Sequence, residues 1–428
     1  MRVFWFHSGL MPAACERLGY DKRNTCGWLE SMLDALLAVD SHVEFCLLGW
    51  DWRPCDIQIG RVRHVSFGSG GLTWYKKTPI RFQEKALKLI REFNPDVIHV
   101  QGTEYFYGCF DPDVYAGKPV VVSIQGLISG IVPHYLGGIA PDELRGTNWN
   151  ARYVLKGRSL LQEQRVWRDG RAMQEQKVLR QQVNFIGRTD WDRATIEFYN
   201  PRARYFKVNE NLRLPFFTAR REPRTVRHHS IYCSAAASAA LKGAHWLIRA
   251  VAGLKDEFPD IELRVAAADG LRAPKGLKAR LFDQSYHCYL RRLIRELGVE
   301  KNVSALPFIS AECVVEEFQR AELFVLPSLS ENSPNSLGEA MLVGTPSIAT
   351  FVGGVPSILK DGVEGKLVPS GDPAALAGAI RKLFRNPELG EAMVPAARAT
   401  ALKRHDARAN AKATLAVYRQ IMSEEVKY

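Results

Sequence analysis

No apolar run in this 428-residue chain approaches the ~20 residues that a membrane-crossing helix needs. The first nine residues are apolar but few, and they read as a buried first strand rather than a signal peptide, so the chain is expected to stay in the cytoplasm. The eight cysteines include no Cys-x-x-Cys pair and no zinc-like spacing to histidine. Several stand in strand-like runs, as Cys46 does between Phe45 and Leu47 and Cys233 beside Tyr232, and these read as buried reduced thiols. There is no DNA- or RNA-binding motif, which makes nucleic acid a poor partner for the formal charge of +12. Part of that charge is local. Between positions 145 and 180, nine Lys or Arg face three acids (Glu163, Asp169 and Glu175). Such a stretch is either a solvated helical face or a surface for anionic phosphate, on a lipid-linked acceptor or on the membrane itself.

What is present is alternation. A single core stops growing at roughly 250–300 residues, so two domains are the default at this length. β-Branched and aromatic runs at 2–8, 43–49, 62–67, 96–101, 119–125 and 183–187 read as strands, and 28–39 and 80–93 have helical periodicity. An Arg-rich segment with Pro223, 218–229, has no hydrophobic period and reads as a linker. Strand candidates resume at 231–233, 261–267, 303–308, 323–327, 346–350 and 366–368, with helix candidates at 243–258, 282–297, 312–320 and 337–343. The stretch 406–422 has helical spacing of Ala409, Ala413, Ala416, Val417 and Ile421. Apolar runs separated by helices imply buried parallel sheets. The expectation is an α/β chain of two Rossmann-like, doubly wound domains, 1–217 and 230–405, followed by a helix in 406–428 that packs back on the first. Ligands of such sheets bind outside the carboxyl ends of the strands.

The segment 328–346 is the most informative. It follows the apolar strand 323–327, and Ser333-Pro334 reads as an N-cap followed by a first-turn proline. A helix starting there offers the amides of Asn335, Ser336 and Leu337, with the helix dipole, to an anion such as a diphosphate. Glu339 lies on that helix, where it can accept hydrogen bonds from a ribose diol, and Glu331 precedes it, where it can meet sugar hydroxyls. Lys242-Gly243 follows the first strand of the second half, and a lysine in such a loop is a mobile point charge for phosphate. In the first half, Gly27 allows close backbone approach, and Gln125 and His134 are candidate acceptor-side residues. Gln125 can bind a hydroxyl but cannot do acid–base work. His99 lies inside a strand and reads as structural. The Asp-x-Asp of Asp190 and Asp192 follows a strand and opens a helix, so Asp190 reads as a cap and no metal site is assigned.

Glu331, seven residues, Glu339, then Ala340-Met341 and Gly344-Thr345-Pro346 resemble the signature of the family 4 retaining glycosyltransferases, which have the GT-B fold. Val352-Gly353-Gly354-Val355-Pro356 and Asp361-Gly362-Val363-Glu364-Gly365 also match. The resemblance is strongest from Ser230 onward and points toward bacterial members that build capsule, exopolysaccharide or lipopolysaccharide. It implies that Glu339 binds ribose, that Glu331 contacts the sugar and that Lys242 neutralises the leaving diphosphate, without a metal or other cofactor. The donor is then a nucleotide-sugar and the acceptor a glycan or lipid-linked glycan, with peripheral association to anionic membrane. Two departures stand out. The family's Arg five residues before the Lys is Ala237, in a small, polar loop where Ser234, Ser238 or backbone amides replace the guanidinium or diphosphate binding is weaker. The family's frequent His is Gln125. A nucleotide-sugar epimerase of the same fold is the alternative enzyme, and a catalytically silent sugar-nucleotide-binding subunit is the alternative that Ala237 favours.

Overall fold

The computed structural model describes residues 1–20, 27–51, 53–68, 80–144, 159–234, 236–266, 268–272 and 283–425. Thr25 and Cys26, the start of the basic stretch (145–158), Ala235, Ala267 and Phe282 lie outside the described residues. The chain forms two compact units. One comprises Met1–Ser129, Arg168–Leu212 and Arg404–Tyr428, and the other Gly130–Trp167 and Arg213–Lys403.

The first unit is built on eight strands: β1 (Arg2–Ser8), β2 (Glu44–Trp50), β3 (Cys55–Ile59), β4 (Val62–Ser66), β5 (Val97–Gln101), β6 (Val120–Ser123), β7 (Asn184–Gly187) and β8 (Arg204–Lys207), in the order β3-β4-β2-β1-β5-β6-β7-β8. All neighbours are parallel except β3 and β4. Central strands buried on both faces need unbroken apolar runs, and Val3-Phe4-Trp5-Phe6 of β1 has no exposed surface. Two edge strands escape the sequence pattern. β3 alternates Ile57 and Ile59 with Asp56 and Gln58, and β8 is half-exposed and bounded by Arg204 and Lys207.

The helix Ala407–Glu425 packs against Gly27–Val39 in this unit. Its Tyr418 hydroxyl accepts from Trp5 Nε1 at 3.1 Å and lies 2.6 Å from His99 Nδ1, while His99 Nε2 is 2.6 Å from Ser123 Oγ. Burial pushes the His99 pKa down to about 3, so the imidazole is a neutral, fully engaged part of the core.

The second unit carries a six-stranded parallel sheet: β9 (Ser230–Cys233), β10 (Glu262–Val265), β11 (Val303–Ala305), β12 (Leu323–Leu326), β13 (Ser347–Thr350) and β14 (Lys366–Val368), in the order β11-β10-β9-β12-β13-β14. Residues 130–144 and 159–167 belong here rather than with the first domain. Ile139, Leu144 and Leu160 are buried in this unit's core, and the Gly137 carbonyl accepts from His245 Nε2 and Trp246 Nε1, both at 2.9 Å. Gly137 has φ +68°, and a Cβ there would stand 2.4 Å from the Ala240 carbonyl oxygen. The helix expected at 243–258 runs only over Ala244–Ala252, ending at Gly253. The helices Pro373–Arg385 and Pro387–Arg404 were not anticipated.

None of the seven described cysteines forms a disulfide. No helix among the described residues is long and apolar enough to cross a membrane.

Candidate functional site

Three adjacent strands of the second unit, β9, β12 and β13, end at loops that are tied to one another through the backbone. Leu329 N donates to Leu241 O at 2.8 Å, and Gly354 N donates to Glu331 O at 3.0 Å. Thr350 Oγ1 donates to Ser328 O at 2.5 Å. This lattice brings Lys242, 89 residues away in sequence, onto Glu331: Nζ lies 2.6 Å from Oε1, and Ser328 Oγ donates to the same oxygen at 2.8 Å. The Lys242 side chain is 35% exposed and that of Glu331 9%, so the cation faces solvent and the acid lies behind it. Gly243 makes the arrangement possible. Its φ is +77°, and a Cβ would stand 2.0 Å from the Pro327 carbonyl oxygen.

The helix after Glu331 begins at Asn335, one residue later than the cap assignment required. Pro334 is the N-cap residue, with no side-chain cap hydrogen bond, and Ser333 precedes it. Leu337 N donates to Pro334 O at 3.1 Å, so its amide is already engaged. Asn335 and Ser336, both half-buried, remain as the first amides of the helix. A helix start without a side-chain cap suits an anion that supplies the missing acceptor. Glu339 is buried on this helix and accepts from Arg213 Nη2 at 2.8 Å. Burial raises the Glu339 pKa, and the Arg213 guanidinium opposes that rise. Arg213 was not singled out from sequence; it lies 126 residues from its partner.

The remaining candidates are dispersed. Ser234 is half-buried beyond β9 and Ser238 is exposed. Ala237 is fully buried in the core cluster with Ile231 and Leu247. Gly27 starts the helix Gly27–Val39 of the first unit. His134 is exposed in the second unit, at the end of the short turn Val132–His134. Gln125 follows β6 in the first unit, in a turn held by two acids, half-buried Glu104 and fully buried Glu175. Gly126 N donates to Glu104 Oε1 at 2.8 Å, and Glu175 accepts from Ile128 N at 2.9 Å, Ser129 N at 2.6 Å and Thr103 Oγ1 at 2.7 Å. Burial, with Glu175 nearby, pushes the Glu104 pKa up to about 7. Its Oε2 has no hydrogen-bond partner among the described residues.

The Asp-x-Asp is a helix start, with one correction: Thr189, not Asp190, is the N-cap. Asp192 closes the capping box, accepting from Arg188 N at 2.9 Å, Thr189 N at 3.3 Å and the Tyr205 hydroxyl at 2.7 Å.

The whole chain shares its architecture with solved glycosyltransferases of the GT-B class. Sucrose-phosphate synthase from Thermosynechococcus elongatus superposes with a TM-score of 0.69 at 16% identity, covering 99% of this chain and 100% of that one. HepE from Anabaena, solved in complex with UDP, gives 0.61 at 14% identity, covering 100% of both chains. The fold is therefore GT-B. Residues 217–400 match the family described as Glycosyl transferases group 1, and the second unit carries that domain. Curated relatives include the D-inositol 3-phosphate glycosyltransferases of Streptomyces coelicolor, 35% identical over 164 residues (37% of this chain, 33% of that protein), and Streptomyces scabiei, 33% identical over 195 residues (44% and 41%). The matched part thus spans less than half of those relatives' length, 33% and 41%.

Proposed function

We propose that this protein is a retaining, metal-independent glycosyltransferase that passes a hexose from a nucleotide-sugar to a hydroxyl of a glycan or lipid-linked acceptor in surface-polysaccharide assembly. The observation that carries the reading is the Lys242–Glu331 pair beside a helix start with no side-chain cap. In this reading the Asn335 and Ser336 amides take the donor diphosphate, Glu339 takes the ribose diol and Glu331 takes sugar hydroxyls. A sugar hydroxyl that occupies Glu331 competes with Lys242, freeing Nζ for the phosphate. The acceptor oxygen then bonds to the anomeric carbon on the face from which the sugar–phosphate bond breaks, and the acceptor proton passes to the departing phosphate oxygen. Lys242 and the amides stabilise the charge that builds there. The UDP complex of HepE supports a nucleoside diphosphate as ligand of this fold.

The test is a thermal-shift screen against UDP-, GDP- and ADP-sugars, followed by product analysis by NMR with the donor found. A donor at 100 times its dissociation constant stabilises by about 2.7 kcal/mol. Nucleotide release that requires acceptor, with the anomeric configuration kept, supports the proposal. Release without acceptor, an epimerised donor or binding without turnover favours the epimerase or the silent binding subunit.

A second reading concerns the acceptor. The curated relatives act on a phosphorylated inositol, as their names state, and Arg165 and Arg168 are exposed in the basic stretch. A soluble phosphorylated polyol is then the acceptor in place of a lipid-linked glycan. Parallel assays with inositol phosphate and with a lipid-diphosphate glycan in anionic vesicles separate the two.

A further inference from the structure

We propose that Arg213 is a positioning residue for donor binding, holding the Glu339 carboxylate charged and oriented for the ribose diol. This rests on the reading of Glu339 as the ribose contact. A diol donates two hydrogen bonds, and an ionised carboxylate presents two acceptor oxygens to receive them. A protonated carboxyl turns one of those oxygens into a donor and loses the match.

Glu339 is placed where that loss is a danger. Its side chain is only 7% exposed, and burial raises its pKa. The Arg213 guanidinium opposes the rise by charge and by the 2.8 Å hydrogen bond to Oε1. Arg213 is itself held in place. It precedes the short helix Pro215–Thr218, which packs on the Asn335–Val343 helix, and its guanidinium lies 4.9 Å over the ring of buried Phe216. The other titratable groups facing this pair are Tyr232 of β9, whose phenol is pushed up chiefly by burial and in part by Glu339, and the exposed Glu312 of the helix Ala311–Arg320, which feels Arg213. Neither is a cation. Among these groups Arg213 alone favours the ionised form of Glu339.

The Arg213 side chain is 44% exposed, so its loss opens no core cavity, and the consequence falls on Glu339. Each unit by which the cation lowers the Glu339 pKa is worth a factor of ten in ionised fraction at pH values below it. Removing Arg213 therefore weakens binding at low pH, and the deficit closes as pH rises and Glu339 ionises unaided.

The experiment is calorimetric titration of the full chain with UDP, GDP or ADP, whichever binds the wild type most tightly, and with the 2′-deoxy form of that nucleotide. Wild type, Arg213→Met, Arg213→Lys and Glu339→Gln are compared at about pH 6 and about pH 9. The ratio of variant to wild type at each pH cancels titration of the nucleotide's own phosphate. The expected result is about a tenfold loss for Arg213→Met at the lower pH and a much smaller loss at the higher. Arg213→Lys recovers part of the difference, and the 2′-deoxy nucleotide shows no pH-dependent gap between variant and wild type. An equal deficit at both pH values, no deficit, or a larger one at high pH overturns the role of Arg213, while loss of binding in Glu339→Gln leaves the ribose assignment standing. If Glu339→Gln discriminates ribose from 2′-deoxyribose as the wild type does, the ribose reading itself fails.

Discussion

Lys242 Nζ and Ser328 Oγ donate to the same oxygen of Glu331, at 2.6 and 2.8 Å. One carboxylate oxygen thus restrains a cation from one loop and a hydroxyl from another. Lys242→Ala removes the cation from a half-exposed position and is expected to leave the fold intact while lowering turnover at saturating donor by about a hundredfold or more. Glu331→Ala is expected to lose discrimination among sugars more than affinity for the free nucleotide. Near wild-type turnover in the first variant, or equal losses of both quantities in the second, would remove that residue from the site.

Gly243 supports this geometry through its backbone. Gly243→Ala must adopt a positive φ and place a Cβ against the Pro327 carbonyl, which should destabilise the protein by at least about 2 kcal/mol in urea unfolding. Gly253 provides the internal comparison: its φ is −73°, and a Cβ there would meet the Ala250 carbonyl oxygen at an ordinary 3.5 Å. Gly253→Ala should be neutral or stabilising by about 0.5 kcal/mol. Similar midpoints for the two variants would contradict the steric argument.

Glu104 gives a prediction in pH. Its folded pKa, about 7, lies above the ordinary 4.5. Between those values the native state keeps a proton that the unfolded chain releases. Stability from this group is therefore greatest below about pH 4.5 and declines until about pH 7, by up to about 3 kcal/mol at about 1.4 kcal/mol per pH unit. Glu104→Gln keeps an acceptor for the Gly126 amide but cannot ionise. Its unfolding free energy should fall less between pH 5 and pH 8 than that of the wild type, and an unchanged slope would exclude Glu104 as the source.

The proposed chemistry predicts turnover in excess EDTA, because Lys242 and the Asn335 and Ser336 amides offset the leaving charge that a divalent ion otherwise offsets. Asp192→Ala should instead cost about 1–2 kcal/mol of stability, since its carboxylate accepts from Arg188 N, Thr189 N and the Tyr205 hydroxyl. Activity that EDTA abolishes and Mn²⁺ restores, together with an inactive but stable Asp190→Asn/Asp192→Asn double variant, would reverse both assignments.

The readable parts of the sequence were those in which neighbours in the chain are also neighbours in one strand, helix or turn. β1 and β12 announce themselves as unbroken apolar runs because both faces are buried. Glu331 and Glu339 stand on one strand–helix turn, and their spacing survives into the structure. Asp372 accepts from Ala374 N and Ala375 N at the start of Pro373–Arg385, and this Asp-Pro signal was legible but unused. Other features had no local trace. The Arg213–Glu339 bond depends on tertiary placement, the carboxyl groups of Glu104 and Glu175 beneath the Gln125 turn have no local sign of their burial, and the allegiance of 130–144 and 159–167 is set by packing of Ile139, Leu144 and Leu160. The edge strands β3 and β8 lack the apolar density of central ones because half their surface meets water.

The bond between His99 and Tyr418 joins positions 319 residues apart, and this separation becomes a delay when the chain is made from its amino end. All eight strands of the first sheet have been synthesised by Lys207. The face bearing Val3, Trp5 and Leu29 is closed by Leu415, Tyr418 and Ile421, which emerge roughly 10–40 s later at 5–20 residues per second. Through that interval a nascent chain carries an open apolar surface around Trp5 and Leu29 that the helix Ala407–Glu425 later covers. A chain stopped before that helix keeps this surface exposed, so premature termination there should yield an aggregating product even though the group 1 domain has been made in full.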